Sequence, residues 1–306
     1  MNRHNKMKST ILAAHQYGQP EVLEFAQYEL PPLASGMARI HVKASGINPI
    51  DARRMTGEFK HAALPQTFGT EYAGIISEVD GSQNEWAIGD EVLGSGGAFT
   101  HATVIDVPLS NLIRKPKNID WSIAGTIAGA AQTAMTILDE IGPAQSLLVH
   151  GGSGGVGSIV VQLAVEKGIE VVATASSANQ DYIRKLGAIA VTYGDGLVER
   201  LKAVHPTPFD ASIDMIGSEE ATQTSLAVVK VGGFMGSIAG RKLSSNKIQP
   251  VWVKRNPKNL QHVVDGIADG RFTWTVSREY AFKDAQQAYG DILEGHTKGK
   301  SVLIFE

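Results

Sequence analysis

A run of glycines constrains the fold of this chain more than any other feature. It occupies residues 151–157, directly after the apolar stretch Ser146–His150, and it leads into a second apolar segment. Within the run, Gly152, Gly154 and Gly157 have the spacing of the G-x-G-x-x-G fingerprint. This fingerprint is typical of a strand, a tight turn and a helix whose N-terminal N–H groups bind a pyrophosphate.

The segments that follow the run support this interpretation. Apolar residues recur there with the spacing of one helical face, at Val156, Ile159, Val160, Leu163 and Ala164. Gly168 is suited to end this helix in the left-handed conformation, and Ile169–Thr174 has the β-branched composition of a second strand. A glycine pattern alone also occurs in ordinary loops, and this chain has 33 glycines. The complete βαβ unit favours dinucleotide binding.

The composition limits the classes of protein that this chain can belong to. Its 306 residues are enough for about two domains. The net charge is −3 and no basic stripe is present, so the sequence predicts no nucleic-acid binding. No stretch approaches the roughly 18 apolar residues of a membrane span, and we see no signal peptide. We therefore expect a cytoplasmic protein without a membrane span.

Cysteine and histidine usage bears on metal binding. The chain has no cysteine, which excludes disulfides, thiol catalysis and any zinc site built on thiolates. Its nine histidines are scattered, and none forms a His-x-x-x-His pair. We expect them to be structural or solvated, and we predict no metal site.

The pattern of predicted secondary structure changes near residue 130. Residues 1–125 consist of short alternating runs between Gly, Pro and Asn clusters, which predicts a β-rich domain. Strands then alternate with helices, which predicts a doubly wound parallel sheet. Ile248–Lys254 is predicted as a further strand, and Pro250 places it at an edge or a bulge. A helix from Pro257, a helix near 284–293 and a terminal strand at 300–305 exceed a six-stranded nucleotide domain, so we expect the tail to pack with the N-terminal β-domain.

The end of the second strand indicates which cofactor is bound. Sites that prefer NAD carry Asp or Glu about 20 residues after the glycines, but no carboxylate lies between Glu170 and Asp181 here. A carboxylate repels a 2′-phosphate, whereas Ser176 and Ser177 can donate hydrogen bonds to one. The sequence therefore favours NADPH. The alternative is that the two serines only cap the next helix.

Several stretches together resemble one family. The chain is similar to the zinc-independent quinone oxidoreductase (zeta-crystallin-like) branch of the medium-chain dehydrogenases/reductases. The stretches that carry the resemblance are Ala44–Asp51, Phe68–Gly74, Gly89–Val92, Gln132–Ala134, His150–Gly157, Val231–Gly233 and Gly299–Lys300. The resemblance implies an α/β protein with a GroES-like β-rich catalytic domain at 1–129 and 266–306, a Rossmann NADPH-binding domain at 130–265, and a homodimer.

The resemblance also implies the residues of the site. Asn48, Asp51 and Thr133 are expected at the nicotinamide end of a cleft, and Tyr193 at the 2′-phosphate. From the residues alone, Asn48 before Pro49 is equally a turn residue, and Asp51 a helix cap. The residues predicted to bind the cofactor are Gly152, Ser153, Gly154, Gly155, Val156, Gly157, Ser176, Ser177, Tyr193 and Gly240.

Two features separate this chain from relatives. The zinc-dependent relatives carry Cys near Ile47 and His at the position of Thr70, so the residues here do not fit a Lewis-acid mechanism. Arg53 and Arg54 stand where the resemblance implies an aromatic residue, and they either favour an acidic substrate or face solvent.

These observations lead to one expected function and two alternatives. The expected function is NADPH-dependent hydride transfer to a quinone or a related conjugated carbonyl, without zinc. The first alternative is an enoyl or alkenal reductase, which accepts the hydride at a carbon–carbon double bond. The second is a catalytically silent NADPH-binding sensor protein.

Overall fold

A computed structural model of the chain describes residues 6–60, 62–295 and 298–306. Its strands are β1 (Lys8–Ala14), β2 (Glu24–Glu29), β3 (Met37–Ile47), β4 (Gln66–Thr67), β5 (Glu71–Val79), β6 (Glu91–Ser95), β7 (Val104–Pro108), β8 (Leu112–Arg114), β9 (Ser146–His150), β10 (Glu170–Ala175), β11 (Ile189–Thr192), β12 (Phe209–Asp214), β13 (Val229–Ser237), β14 (Gln249–Pro250), β15 (Val276–Ala281) and β16 (Lys300–Ile304).

The α-helices are α1 (Pro49–Thr56), α2 (Trp121–Ile141), α3 (Gly155–Glu166), α4 (Gln180–Lys185), α5 (Leu197–Val204), α6 (Glu219–Val228), α7 (Pro257–Ala268) and α8 (Ala285–Glu294). Short 3₁₀ turns lie at Pro20–Val22, Leu109–Asn111, Ser177–Asn179 and Phe282–Asp284. Within the described ranges, no helix is long and apolar enough to cross a membrane.

The chain divides into two compact units. The first contains residues 1–129, 256–268 and 275–306, and the second contains residues 130–255 and 269–274. The first boundary falls inside α2, between residues 129 and 130, and residues 256–268 of the tail group with the first unit.

The first unit is built on antiparallel sheets. A three-stranded sheet has the order β2-β1-β4, and a larger sheet runs β15-β16-β3-β5-β6-β8, with β7 also paired to β3. The tail of the chain thus enters the N-terminal sheet, because β16 pairs antiparallel with the end of β3. The largest side chains of the core are fully buried and include Tyr72, Tyr289, Phe68, Met55 and Ile40. Burying an apolar side chain such as Phe68, Met55 or Ile40 contributes about 1.5–3 kcal/mol.

The second unit is a parallel sheet of six strands in the order β11-β10-β9-β12-β13-β14. This is the doubly wound order of dinucleotide-binding domains, in which the strand order reverses beside the first strand. That strand is β9, and the glycine run follows it directly. Ligands of such sheets bind outside the carboxyl ends of the strands at the reversal point, so the topology puts the glycine run at the expected place.

The predicted strand at Ile248–Lys254 is shorter in the structure. Only Gln249 and Pro250 pair with β13, in parallel register. The Val251 N–H still donates to the Ser237 carbonyl of β13 at 2.9 Å, and no described residue after it is in register with β13. Val251 is then buried and Trp252 is 62% exposed. The prediction of a full edge strand was wrong, although the position at the sheet edge was right.

Candidate functional site

The glycine turn after β9 is held by the neighbouring strand. Gly151 has a φ of +83°, a backbone conformation that residues other than glycine rarely adopt. Its N–H donates to the Thr174 hydroxyl at 3.1 Å, and the Gly152 N–H donates to the Thr174 carbonyl at 2.9 Å. Thr174 lies on β10 and therefore fixes the turn against the sheet.

The three fingerprint glycines have different surroundings. A Cβ on Gly152 would lie 2.8 Å from Ala173 Cβ, and one on Gly157 would lie 2.2 Å from the Gly151 carbonyl oxygen. A Cβ on Gly154, in contrast, would meet no described atom within 4 Å. Two glycines thus allow close packing, and the third leaves free space above the backbone. That space is what a pyrophosphate group needs.

The helix that follows presents its N-terminus to this space. Gly154 is the N-cap residue of α3, and no side chain caps the helix. The first-turn N–H groups of Gly155, Val156 and Gly157 carry partial positive charge and suit an anion. Ser153 is buried behind the turn, where its hydroxyl lies 3.5 Å from the side-chain amide of Asn179. The residues present therefore fit a dinucleotide pyrophosphate.

The carboxyl ends of β10 and β11 carry the residues expected at a 2′-phosphate. Ser176 is half-buried and Ser177 is exposed, and the Ser176 side chain does not cap the turn that follows. Tyr193 follows β11 and is 41% exposed. Its loop is fixed because Arg200 donates to the carbonyl oxygens of Thr192, Gly194 and Asp195 at 2.6–3.1 Å.

Two further predicted residues lie in the second unit. Gly240 follows β13 and has a φ of +61°, which favours glycine. Thr133 is half-buried on α2.

His150, the last residue of β9, is buried and faces hydroxyl groups. Its Nε2 lies 3.0 Å from Ser225 Oγ, which in turn accepts from Ser212 Oγ at 2.9 Å. Burial lowers the pKa of His150 to about 4. The imidazole is therefore neutral at pH 7, and it supports the strand before the glycine turn.

Asn48 begins α1 in the first unit. It follows the end of β3 and precedes Pro49, a residue favoured at the first helical position. Asp51 is fully buried and accepts from the Asn48 N–H at 2.9 Å and from the Gly69 N–H at 3.1 Å. Each carboxylate oxygen of Asp51 thus has a backbone partner. The carboxylate holds Asn48 in place and joins the start of α1 to the loop before β5.

A buried ion pair lies beside Asn48. Glu71 begins β5 and is fully buried, and Lys300 begins β16 and is 5% exposed. Lys300 Nζ lies 2.5 Å from Glu71 Oε1 and also donates to Asn48 Oδ1. Asn48 Nδ2 donates to the same Glu71 oxygen at 3.2 Å. The three side chains therefore form a closed ring of hydrogen bonds.

Neither Glu71 nor Lys300 was predicted as a site residue from the sequence. Both lie within stretches that carried the resemblance, Phe68–Gly74 and Gly299–Lys300. Their sequence separation is 229 residues, so no local spacing pattern connects them. The available indication was a charged residue at the start of each of two strands, directly before buried residues.

The arginines of α1 make contacts within the first unit. Arg54 is buried, donates to the Thr67 carbonyl at 3.0 Å and lies 5.1 Å from the ring centroid of Phe99. Arg53 pairs with Glu58 at 3.1 Å, and its side chain is 13% exposed. The sequence left open whether the two arginines favour an acidic substrate or face solvent. Neither Arg53 nor Arg54 faces solvent freely.

Metal-ligating side chains are not clustered in the described part of the chain. The chain has no cysteine, and Ile47 and Thr70 stand where the family resemblance implies metal ligands in the zinc-dependent relatives. Within residues 6–60, 62–295 and 298–306, no group of three or more His, Cys, Asp or Glu side chains is arranged to hold a metal ion.

Known proteins resemble this chain over most of its length. Residues 34–141 match the family model described as the alcohol dehydrogenase GroES-like domain, and residues 155–264 match the zinc-binding dehydrogenase model. The chloroplastic NADPH-dependent alkenal/one oxidoreductase of Arabidopsis thaliana is 32% identical over 86% of this chain and 76% of the relative. The chain belongs to the zinc-independent quinone oxidoreductase branch of the medium-chain dehydrogenases/reductases.

Other members of this family support the assignment. The 2-methylene-furan-3-one reductase of Solanum lycopersicum is 30% identical over 85% of this chain and 76% of the relative. The solved quinone oxidoreductase of Coxiella burnetii superposes with a TM-score of 0.87 at 26% identity, covering 98% of this chain and 100% of that one. The Escherichia coli quinone oxidoreductase, solved with NADPH, gives a TM-score of 0.85 at 27% identity, covering 96% and 99%. The predicted family and fold class are confirmed.

Proposed function

We propose that this quinone oxidoreductase family member uses NADPH to transfer hydride to a quinone or a related conjugated carbonyl, without zinc. The observation that carries the proposal is the free space above Gly154 at the uncapped N-terminus of α3. The strand end that carries Ser176 and Ser177 has no carboxylate to repel a 2′-phosphate. NADPH supplies the hydride when it is bound, and the chain supplies binding and orientation.

The three predicted catalytic residues have proposed roles. Asn48 donates a hydrogen bond to the acceptor oxygen, on which negative charge develops as hydride arrives. Asp51 is a positioning residue, because its carboxylate oxygens are engaged by backbone N–H groups. Thr133 faces the cofactor. The first unit is the catalytic domain, and the second is the NADPH-binding domain.

The acceptor is a quinone or an activated double bond. The Arabidopsis and tomato relatives are named for alkenal/one and methylene-furanone reduction, so reduction of a carbon–carbon double bond next to a carbonyl is the second candidate. Both reactions place developing negative charge on a carbonyl oxygen, and both therefore use the same donor.

Steady-state oxidation of NADPH with a panel of quinones, enones and alkenals tests the function. We expect turnover with at least one class, and we expect Asn48→Ala to reduce it by on the order of 10²-fold while NADPH affinity stays within a few fold. If Asn48→Ala matches the parent on every acceptor, Asn48 is only a turn residue. If the parent oxidises NADPH with none of them, the silent NADPH-binding sensor becomes the better description.

A homodimer and a cytoplasmic location complete the proposal. Trp252 is 62% exposed beside β14 at the end of the six-stranded sheet, and a second copy related by a two-fold axis can cover this side chain. Fractionation of the native host cell tests the location, and sedimentation tests the assembly.

A further inference from the structure

The ring formed by Asn48, Glu71 and Lys300 determines the positions of the oxygen and nitrogen of the Asn48 side-chain amide. Lysine has only donors and an ionised carboxylate only acceptors. The Asn48 atom that faces Lys300 must therefore be Oδ1, and the atom that faces Glu71 must be Nδ2. An asparagine with ordinary partners is often ambiguous in this respect, but here the chemistry of the neighbours decides.

One N–H of this amide remains available. Nδ2 has two hydrogens, and Glu71 takes one of them. Among the described residues, no second acceptor lies within hydrogen-bond distance of Nδ2. Asn48 is also the least buried member of the ring, because Glu71 is fully buried and Lys300 is 5% exposed. Asn48 is thus the member of the ring nearest to solvent, and one of its Nδ2 hydrogens is not taken by Glu71.

Hydrogen bonds hold both the carboxylate and the backbone carbonyl of Glu71. Its Oε2 accepts from the Gly129 N–H at 2.8 Å, and its backbone carbonyl accepts from the hydroxyls of Ser45 at 2.7 Å and Thr100 at 3.0 Å. A Cβ on Gly46 would lie 2.1 Å from Oε1, and one on Gly129 would lie 2.6 Å from Oε2. Glycines therefore leave the room in which the carboxylate sits.

A buried ion pair of this kind is a poor source of stability. Removing two charges from water costs several kcal/mol per ion, and apolar replacements of similar volume are often neutral or stabilising. Gly46 and Gly129 leave room for this carboxylate, and the pair shares hydrogen bonds with Asn48. Orientation of the Asn48 side chain explains such an arrangement better than stability does. The cation on Oδ1 also draws electron density from the amide, which strengthens the remaining N–H as a donor.

We propose that Lys300 and Glu71 are positioning residues that orient and polarise the free N–H of Asn48 toward the oxygen of a carbonyl substrate. This inference rests on the proposed function, because it concerns the acceptor side of the same reaction. Neither residue contacts the substrate: both act through Asn48.

A double-mutant cycle tests the proposal. We expect Lys300→Met to lower kcat at least tenfold in the parent, with NADPH affinity within twofold, and to change kcat less than twofold in the Asn48→Ala background. An equal loss in both backgrounds would show that Lys300 acts independently of Asn48 and would overturn the proposal. Lys115→Met is the matched control, because it removes another buried lysine, paired with Glu91 at 3.3 Å in the same unit. We expect it to leave kcat unchanged.

A second variant removes the risk that a lone buried charge unfolds the protein. Glu71→Gln combined with Lys300→Met removes both charges together. We expect this variant to melt close to the parent but to show the same loss of kcat. A kcat equal to the parent's in this folded variant would overturn the proposal.

A spectroscopic measurement keeps the inference separate from the proposed function. In protein labelled with ¹⁵N-asparagine, the Asn48 side-chain amide signals are those that disappear in Asn48→Ala. We expect these signals to shift and become more mobile in Lys300→Met and to stay in place in Lys115→Met, with no cofactor or acceptor present. Unchanged signals in Lys300→Met would overturn the inference. Absence of any NADPH oxidation by the parent, with the shift observed, would overturn the proposed function alone.

Discussion

At the scale of single residues, the proposed 2′-phosphate site at Ser177 predicts a preference for NADPH over NADH. The parent should bind NADPH at least tenfold more tightly, which corresponds to ~1.4 kcal/mol. Ser177→Asp places a carboxylate beside the 2′-phosphate, so NADPH affinity should fall more than NADH affinity. Fluorescence titration with both cofactors measures this. Ser110→Asp is the control, since Ser110 is exposed in the other unit. Equal affinities of the parent for both cofactors would contradict the prediction.

The lowered pKa of His150 predicts that the free energy of unfolding depends on pH. Burial lowers its pKa to about 4 in the folded chain, whereas an unfolded histidine has a pKa of about 6.5. The unfolded state thus binds more protons between these values, so stability falls as the pH falls from about 6.5 to about 4. Between pH 7.5 and pH 5 the loss from this residue amounts to about 2 kcal/mol.

Denaturant unfolding at pH 7.5 and pH 5 checks this value. His150→Gln should reduce the difference between the two pH values, because glutamine does not titrate. His41→Gln serves as the control, since His41 is exposed on β3. The interpretation is wrong if both variants keep the pH dependence of the parent.

At the scale of elements, substitutions in the glycine turn and the first turn of α3 should affect NADPH binding and protein stability separately. Gly154→Val fills space that is empty of described atoms within 4 Å, so the variant should fold normally and lose NADPH binding. Gly157→Ala places a Cβ 2.2 Å from the Gly151 carbonyl oxygen, so it should lower the melting temperature without any cofactor. Thermal melting and NADPH titration of both variants test this. Tight NADPH binding by Gly154→Val would place the pyrophosphate elsewhere.

The same elements show what the sequence can predict. β9, the glycine turn, α3 and β10 follow from local periodicity and turn chemistry, and their predicted bounds agree with the structure within a residue or two. β14 was predicted too long because the apolar run after Pro250 has strand composition, although the chain there leaves the sheet. Composition does not record which backbone groups find a partner.

The candidate site was only partly predictable for a related reason. Asn48 and Asp51 lie three residues apart, and their capping contact is local. The ion pair joins residues 229 positions apart, and it exists because β16 pairs with β3. Such a contact depends on strand order, which no spacing in the sequence specifies.

At the scale of the whole molecule, the edge of the parallel sheet predicts assembly. Trp252 is 62% exposed next to β14, and covering it with a second copy would bury a large apolar surface. We expect a dimer in sedimentation experiments at micromolar concentration, and we expect Trp252→Glu to weaken it. A monomeric parent, or an undisturbed dimer in the variant, would contradict this.

Metal content gives a second prediction for the whole protein. The chain has no cysteine and therefore no thiolate ligand, and Ile47 and Thr70 stand where the resemblance implies ligands in the zinc-dependent relatives. We expect less than one zinc per chain in elemental analysis, and turnover that survives chelators. One zinc per chain together with chelator-sensitive turnover would overturn the zinc-independent mechanism.

The pairing of β16 with β3 also governs the order of events as the chain is made. Glu71 leaves the ribosome long before Lys300, which is 229 residues further on. Burying the carboxylate without its cation is unfavourable, so the strands around Asn48 cannot close early. The parallel sheet of the second unit lies wholly between the two residues and is free to fold first. All strands of the parallel sheet are therefore synthesised before Lys300 is available to complete the ring around Asn48.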